Sequence, residues 1–351
     1  MKLYKLEQLS EGKILAKDIF TKDYQILLSE GTVIKDEYIK KLQEFGIREV
    51  YIRESKNFNT VVLGILKDET EAKLKEQIRR VMEKHTYRHS EDLKIISEAA
   101  DEIINEILNE DEVIERVYDI KERNPDIYEH SIMVCTISII LAIKLNYEKC
   151  ITHDIAVGSL LHDIGLRYLI IEYKNQNIDE LPKADQIEYK KHPVYGYTAL
   201  KDEEWLTELS KNIILYHHER IDGSGFPLRI DEIKKEYEIV GICDYFDERM
   251  CGLGCKKEKT HEIIAYLKQV RGYVFTKEIV DAFLSFIAVY PVGTIVKTNE
   301  GEIAIISSQN NHFPDRPILQ VVKDANGKML KEDKIINLLE VHTIFIENVI
   351  S

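Results

Sequence analysis

The first stretch of the chain, residues 1–55, has the apolar pattern of a small α+β unit. Short apolar runs around Ile14, Ile19 and Ile26 are separated by glycines, and this pattern predicts short strands joined by turns. Residues 35–45 carry apolar side chains at helical spacing and end at a glycine, which predicts one helix. A closing strand is predicted over residues 49–52.

A helical connector is predicted for residues 56–118. From residue 68 onward this stretch contains no Gly or Pro, and its Leu, Ile and Val residues recur at helical spacing. Helices of this length could pair with a second copy of the chain, so a homodimer through residues 68–118 is expected. His85 and His89 stand four residues apart here; on this charged stretch we interpret them as solvated side chains rather than a metal pair.

The remaining pattern predicts a helical unit over residues 119–290 and a small β-rich tail over residues 291–351. The helical unit is interrupted by loops at 176–183 and 222–227. In the tail, short β-branched runs are separated by turns rich in Asn, Asp and Gly, and no group of side chains there suggests chemistry. The predicted fold class is therefore mainly α, with a small α+β N-terminal unit and a small β-rich C-terminal tail.

Composition narrows the possible partners and the location. The net charge of −14 disfavours general binding to nucleic-acid phosphates. No run of about 18 apolar residues predicts a membrane span, and the first ten residues do not resemble a signal peptide. We therefore expect a cytoplasmic protein without membrane contact, whose five cysteines are reduced and take no part in metal binding.

Candidate chemistry is concentrated in histidines and aspartates between residues 130 and 244. Five short segments contain them, and His and Asp are the ligands that iron, manganese and zinc accept. The candidate metal ligands are His130, His162, Asp163, His192, His217, His218 and Asp244.

Helical geometry excludes a second His-Asp pair, His153-Asp154. It precedes His162-Asp163 by nine residues, or two and a half helical turns, so the two pairs point to opposite sides of a continuous helix. His162-Asp163 lies among apolar residues with Gly165 close by, where a close approach is possible. We therefore assign His162-Asp163 to the site and His153 to the surface.

The adjacent pair His217-His218 ends an apolar helical stripe. Alone it has two interpretations of equal weight, a metal site or two core-edge histidines bonded to backbone. Together with the other segments it favours a metal, because adjacent buried imidazoles need a strong common partner. An Asp beside a His can bridge two metal ions, which can activate a water and bind a phosphoryl oxygen. His162 and Asp163 are thus the candidate catalytic residues, and no GxSxG or Cys–His motif offers a protein nucleophile.

The order of these segments resembles the HD-GYP group of the HD phosphohydrolase superfamily. The shared motifs are His130-Ser, Leu-Leu-His162-Asp163-Ile-Gly, His192-Pro-x-x-Gly196, His217-His218-Glu-Arg-x-Asp-Gly-Ser-Gly-Phe-Pro227 and Asp244-x-Phe-Asp247. They cover roughly residues 125–290. The flanking stretches are similar to those found around such domains in bacterial signalling proteins.

The resemblance implies an HD-type helical bundle that hydrolyses cyclic di-GMP with two or three iron or manganese ions, zinc being the alternative. It assigns the first metal to His130, His162, Asp163 and Asp244, and the second to Asp163, His192, His217 and His218. Some relatives hold a third metal through a carboxylate one turn before the first His, here Asp126. The expected substrate contacts are Arg220, Asp222, Gly225 and Phe226 in these motifs, together with Lys256 and Lys257 further along the chain.

Three departures concern the substrate rather than the metals. Leu166 stands where the family has Lys, Phe226 stands for the Tyr of Gly-Tyr-Pro, and Leu253 and Cys255 replace parts of an Arg-Pro-Tyr-Arg stretch. Lys256 and Lys257 restore some of that charge. Three functions follow from this. The first is a phosphodiesterase for a cyclic dinucleotide, the second a weak or inactive cyclic-dinucleotide sensor, and the third a hydrolase of another phosphorylated nucleotide.

Overall fold

The N-terminal unit combines two small sheets with one helix. The computed structural model describes residues 2–6, 9, 13–21, 26–29, 32, 34–53, 65–88, 91–109, 113, 116–120, 123–174 and 176–350. Its first elements are β1 (Lys2–Lys5), β2 (Ile14–Leu15), β3 (Ile19–Phe20), β4 (Ile26–Leu28), α1 (Asp36–Glu44) and β5 (Glu49–Arg53). The order β1-β5-β2 forms one antiparallel sheet and β3-β4 a second. The predicted helix and closing strand are confirmed.

The two connector helices, α2 (Asp68–Arg88) and α3 (Ile95–Leu108), belong to the core of the central unit. Their apolar residues, including Leu74, Ile78 and Ile103, are buried in one cluster with the helices that follow. The apolar face that suggested a homodimer is therefore used within the chain. The dimer and the boundary at residue 118 stay predictions.

His85 corrects one expectation about this region. Its side chain is fully buried and lies 3.4 Å from the carbonyl oxygen of Ala199, because α2 packs against the central unit. His89 lies outside the described residues.

The central unit is a bundle of eight helices among the described residues. They are α4 (Ile127–Lys144), α5 (Lys149–Leu161), α6 (Lys183–Tyr189), α7 (His192–Leu200), α8 (Glu208–Tyr216), α9 (Lys235–Cys251), α10 (Thr260–Gln269) and α11 (Lys277–Leu284). α4 packs against α5 and α9, and α8 packs against α5, α7 and α9. A short 3₁₀ helix, Ile164–Tyr168, follows α5 and packs on α7.

Helix α4 lies at the centre of this bundle. Asp126 caps its first turn by accepting bonds from Tyr128 N (3.0 Å) and Glu129 N (3.1 Å). Its apolar residues surround the whole helix, so it meets the length and hydropathy criteria for a membrane span, but 78% of that span is buried within the structure. Burial on all sides is typical of the core helix of a soluble domain.

The C-terminal tail is a five-stranded antiparallel sheet in the order β10-β6-β7-β8-β9. Its strands are β6 (Ile295–Thr298), β7 (Ile303–Ser308), β8 (Ile318–Lys323), β9 (Met329–Asn337) and β10 (Ile346–Val349). The first three match the predicted runs; β9 and β10 were not predicted. The Asp119 carboxylate joins this unit to the bundle by accepting from Val292 N (2.7 Å) and Gln309 Nε2 (2.9 Å).

Candidate metal centre

Five segments of the bundle bring the seven candidate ligands together. α4 carries His130, the end of α5 carries His162 and Asp163, α7 begins at His192, His217-His218 follow α8, and α9 carries Asp244. All seven side chains are at most 5% exposed. The packing of α4, α5, α8 and α9 around one point therefore creates a buried polar cluster from residues far apart in sequence.

One half of the cluster surrounds Asp244 and one oxygen of Asp163. His130 Nε2 lies 3.1 Å from Asp244 Oδ1, and His162 Nε2 lies 3.4 Å from the same oxygen. Both imidazole nitrogens are 3.5 Å from Asp163 Oδ2 and 3.2 Å from each other. These four side chains offer ligand atoms within 4.8 Å of one another.

The other half surrounds the second oxygen of Asp163. Asp163 Oδ1 lies 3.2 Å from His192 Nε2 and 3.7 Å from His217 Nε2, and these two nitrogens are 3.3 Å apart. His218 completes this group. Asp163 thus presents one oxygen to each histidine group, the geometry of a carboxylate that bridges two ions.

Hydrogen bonds at Nδ1 determine which nitrogen of each imidazole faces the centre. His162, His192 and His217 each donate Nδ1–H to the carbonyl three residues earlier, at 2.6, 2.9 and 3.0 Å. With Nδ1–H bound to the backbone, Nε2 of each ring is directed at the cluster. Burial lowers the pKa of His217 to about 4, so its ring is uncharged near neutral pH.

Several buried polar atoms of the cluster have no hydrogen-bond partner in the described structure. They are both carboxylate oxygens of Asp163, Oδ2 of Asp244 and Nε2 of His218. Burial alone would raise the pKa of Asp163, but the surrounding histidines hold it well below its usual range. Ionised carboxylates, imidazole nitrogens directed inward and unsatisfied buried atoms together fit divalent metal binding.

Asp247 and Arg123 support the centre and were not among the predicted site residues. Asp247 Oδ2 accepts Nδ1–H of His130 at 2.7 Å and pairs with the buried guanidinium of Arg123. Burial opposes the ionised form of Asp247, yet Arg123 and His130 keep its pKa below the usual range. Its position three residues after Asp244, on the same side of α9, is the sequence feature that identifies it.

Glycines allow the backbones that carry the ligands to approach one another. A Cβ on Gly165 would lie 1.9 Å from the carbonyl oxygen of His192, and one on Gly241 would lie 2.4 Å from that of His217. The close approach predicted at Gly165 is confirmed.

The loop after His218 packs against the histidines. The Phe226 ring stacks on His218, with centroids 4.3 Å apart and planes 23° apart. A Cβ on Gly225 would lie 2.4 Å from the His218 carbonyl oxygen. Glu219, which was not predicted, accepts from the backbone of Leu228, Arg229 and Ile230 at 2.6, 3.0 and 3.2 Å. This buried carboxylate anchors the loop.

Two predicted substrate contacts in this region have internal partners. The Arg220 guanidinium is buried and donates from Nη1 to the carbonyls of His217 (2.9 Å) and Glu219 (2.8 Å). It lies over the Phe275 ring at 4.7 Å. Asp222 accepts from Ser224 N (3.0 Å) and Ser224 Oγ (2.6 Å). Arg220 therefore positions the backbone of His217, and Asp222 stabilises the turn.

The structure does not bring three other predicted residues into the cluster. Asp126 caps α4, and its Oδ2 lies 3.2 Å from Lys75 Nζ. Lys256 donates to Glu180 at 2.9 Å and Lys257 to Asn124 at 3.2 Å, both on the surface. His153, assigned to the surface, is partly exposed and lies 3.1 Å from Ser97 Oγ, away from the cluster.

The structure also shows the positions at which this chain departs from the family's motifs. Leu166 and Leu253 are buried apolar residues. Lys190, another residue that was not predicted, is exposed and lies with Nζ 5.7 Å from the Phe226 ring centre.

Glu248, one helical turn after Asp244, is buried beside Asp244. Burial together with the charge of Asp244 raises the pKa of Glu248 well above the usual range.

Comparison with protein families agrees with the helical bundle and the cluster. The model of the HD domain matches residues 127–249, and that of the KOW domain associated with HD domain matches residues 295–351. Most of the central unit is therefore similar to the HD domain, which agrees with the resemblance drawn from the motifs.

Known relatives and a solved structure extend this comparison. A cyclic di-GMP phosphodiesterase of Pseudomonas aeruginosa is 25% identical over 248 residues, 69% of this chain and 59% of that protein. The cyclic di-GMP phosphodiesterase response regulator RpfG of Xanthomonas campestris is 33% identical over 134 residues, 37% of this chain and 35% of that protein. The chain thus spans less than two thirds of the length of either relative. An HDG"Y"P protein from Bdellovibrio bacteriovorus shares the fold, with a TM-score of 0.54 and 19% identity over 80% of this chain and 97% of that one.

Proposed function

We propose that this chain is a metal-dependent phosphodiesterase that hydrolyses a cyclic dinucleotide, cyclic di-GMP first among them. The observation that carries the proposal is the position of Asp163, whose two unpartnered oxygens face two groups of buried histidines. The names of the relatives, cyclic di-GMP phosphodiesterases, support the choice of substrate. A cytoplasmic location remains the expectation from the sequence.

The seven clustered side chains are the proposed ligands of two ions. His130, His162 and Asp244 would hold one, His192, His217 and His218 the other, and Asp163 would bridge them. Bound divalent ions supply Lewis acidity that activates water at neutral pH and neutralises phosphate charge. Iron and manganese are the proposed metals, with zinc as the alternative, because His and Asp suit all three.

The protein's own contribution is orientation and proton transfer. The Nδ1 bonds of His162, His192 and His217 hold each ring with Nε2 toward the centre. Asp247 does the same for His130. We assign Asp163 as the group that accepts the proton of the attacking water. His162, the other predicted catalytic residue, would hold one of the ions beside it.

Substrate recognition is proposed to use the Phe226 face. The ring stacks on His218 and remains partly exposed, so it offers an aromatic surface to a guanine base. Lys190 beside this ring would supply a positive charge for the substrate phosphate. In the family a Lys at the position of Leu166 provides that charge. Gly225 is proposed to hold the ring in place rather than to touch substrate.

Turnover by the full chain tests this function. Protein loaded with Mn²⁺ or Fe²⁺ without oxygen is incubated with cyclic di-GMP, with other cyclic dinucleotides and with a linear dinucleotide. We expect ring opening of cyclic di-GMP by the wild type and none by Asp163→Asn. Absence of product from a metal-containing wild type with every substrate would refute the proposal.

A sensor without turnover is the second candidate function. Leu166 and Leu253 are buried and Lys256 is paired with Glu180, so several expected contacts to substrate phosphates are missing. Tight binding of cyclic di-GMP without product in the same experiment would favour it. Turnover of a different phosphorylated nucleotide would instead identify a hydrolase of another substrate.

A further inference from the structure

A cavity lies between the N-terminal unit and the bundle, apart from the metal centre. Its volume is about 40 Å³, which is room for about three waters or for one ligand of roughly four or five heavy atoms. Tyr51 on β5, Ile65 and Leu66 before α2, and Ile132 on α4 are among the residues that line it. Three parts of the chain therefore meet at this cavity, and none of the seven clustered side chains lines it.

Arg123 lines the cavity and has N–H groups without an acceptor. The residue is 5% exposed. Nη2 pairs with Asp247, but Nε and Nη1 make no hydrogen bond within the described part of the chain. A buried guanidinium with unused N–H groups is costly unless an acceptor lies close by. The cavity is the space beside Arg123 in which such an acceptor can bind.

Tyr51 and Lys17 add to the donors on this wall. Burial raises the pKa of the Tyr51 hydroxyl to about 12, so the hydroxyl keeps its proton at neutral pH. Lys17 also lines the cavity, with Nζ 5.6 Å from the centre of the Tyr51 ring. Two cations and one phenol hydroxyl therefore line the same small space, which favours a ligand with an anionic acceptor.

The carboxylates among the lining residues already have partners. Glu71 Oε2 lies 3.7 Å from Lys17 Nζ. Asp119 accepts from Val292 N at 2.7 Å and from Gln309 Nε2 at 2.9 Å. The ion pair of Arg123 goes to Asp247 instead, outside the cavity lining. The acceptor for Nε and Nη1 must therefore come from a molecule in the cavity, either water or a ligand.

The apolar part of the wall favours a ligand over water. Ile65, Leu66 and Ile132 are each at most 6% exposed. Water in this space would leave these side chains without apolar contacts, whereas an alkyl chain packs against them. An inorganic anion has the same disadvantage as water. A carboxylate that carries a short alkyl chain matches both the donors and the apolar side chains.

We propose that this cavity binds a short-chain monocarboxylate, with its carboxylate on Arg123 and its alkyl chain against Ile65 and Leu66. Binding also affects the proposed metal centre, because Arg123 is then shared between the ligand and Asp247, which accepts from His130. A weakened partner behind a metal ligand weakens metal binding, so the carboxylate lowers the affinity for Mn²⁺. Only this second part rests on the proposed function.

Calorimetric titration of the metal-free full chain with propionate tests the site. We expect a Kd of about 0.1–1 mM, within the limit for a ligand of so few atoms. Propionamide has the same shape without the charge and should bind at least about tenfold more weakly. Equal affinities would overturn the carboxylate class. No binding of propionate would mean that the cavity holds only water and would overturn the site.

Two variants test whether propionate binds in this cavity. Ile65→Phe fills the space with a larger side chain and should abolish binding. Ile47→Phe is the matched control, the same change at a partly buried isoleucine of the N-terminal unit that does not line the cavity; it should keep the wild-type Kd. Arg123→Lys keeps a charge beside Asp247 but loses the guanidinium N–H groups, so Kd should rise about tenfold.

Circular dichroism shows which of these variants fold. If Ile65→Phe is misfolded, Arg123→Lys decides. A wild-type Kd in every folded variant of Ile65 and Arg123 would overturn the site.

The affinity for Mn²⁺ with and without saturating propionate tests the link to the metal centre. We expect propionate to raise the Kd for Mn²⁺ about fivefold, and Mn²⁺ to raise the Kd for propionate by the same factor. Propionate should not change the Mn²⁺ affinity of Ile65→Phe. Unchanged values in the wild type would overturn the link. A chain that binds propionate but no Mn²⁺ would refute the proposed function and leave the carboxylate site intact.

Discussion

At the scale of single residues, close packing of backbone determines where the metal ligands lie. Gly165 touches the backbone of His192 so closely that an added Cβ would overlap its carbonyl oxygen at 1.9 Å. A side-chain rotation cannot relieve a clash with backbone, so we expect Gly165→Ala to destabilise the protein by about 3 kcal/mol and to reduce bound metal. Thermal unfolding and elemental analysis measure the two effects.

Gly158→Ala is the control for this prediction. Its added Cβ would lie 2.9 Å from Cβ and Cγ2 of Ile213, so this residue must shift, but the three nearest atoms include no backbone. Ala is favoured over Gly inside a helix by about 1 kcal/mol, which offsets part of this cost. We expect a much smaller loss of stability and an unchanged metal content. Equal effects of the two substitutions would contradict the role given to Gly165.

Lys190 is the residue on which the proposed phosphate recognition depends. Lys190→Ala removes an exposed cation beside Phe226, so we expect KM for cyclic di-GMP to rise about tenfold, the loss of one charge-assisted hydrogen bond. Because the metal ligands are untouched, kcat should change little. The neighbouring Lys191→Ala is the control, since Lys191 pairs with Glu188 at 3.0 Å; a similar KM in both variants would count against Lys190.

At the scale of single residues, the sequence identified the histidines and aspartates of the centre but not the residues that hold them in place. The ligands could be found because His-Asp and His-His pairs stand in five recognisable segments. Arg123 and Glu219 could not, because their partners, Asp247 and the backbone of residues 228–230, come together only through tertiary packing. Arg220 was assigned to substrate for the same reason: its backbone partners cannot be read from the motif.

At the scale of elements, one carboxylate fixes the loop that carries Phe226. Glu219 accepts three backbone N–H groups on the far side of that loop. Glu219→Gln replaces one acceptor oxygen with a donor that these N–H groups cannot use. We expect hydrogen exchange over residues 222–230 to become at least about tenfold faster, the effect of losing roughly 1.4 kcal/mol of local stability.

Glu208→Gln serves as the comparison, because Glu208 has 76% of its side chain exposed. Its exchange pattern should match the wild type. Unchanged protection of residues 222–230 in Glu219→Gln would show that the loop is held by other contacts.

Elements with regular patterns were predicted well, and the failures have physical causes. The helices and the first three strands of the tail follow from apolar periodicity. β9 contains the charged run Lys331-Glu332-Asp333-Lys334, so its sequence lacks the apolar pattern of a strand. Only the pairing with β8 identifies it as one. The burial of His85 depends on α2 packing against the central unit, which local sequence cannot reveal.

For the whole molecule, bound metal is expected to contribute to stability because the cluster leaves buried charges and lone pairs unsatisfied. Metal at a hundredfold excess over its Kd stabilises by about 2.7 kcal/mol, which corresponds to a rise in Tm of about 5 °C for a domain of this size. Chelation should lower the Tm of the wild type by this amount. Asp163→Asn should lose this dependence, and an equal chelator effect in both proteins would argue against the cluster as the metal site.

The position of bound metal, observed by anomalous X-ray scattering from crystals of the Mn²⁺-loaded full chain, tests the central claim most directly. Two peaks are predicted on either side of Asp163, about 3.5–4 Å apart. One lies among His130, His162 and Asp244, and the other beside His192 and His217. Crystals with no peak at Asp163, or with a single ion that Asp163 does not bridge, would contradict the account.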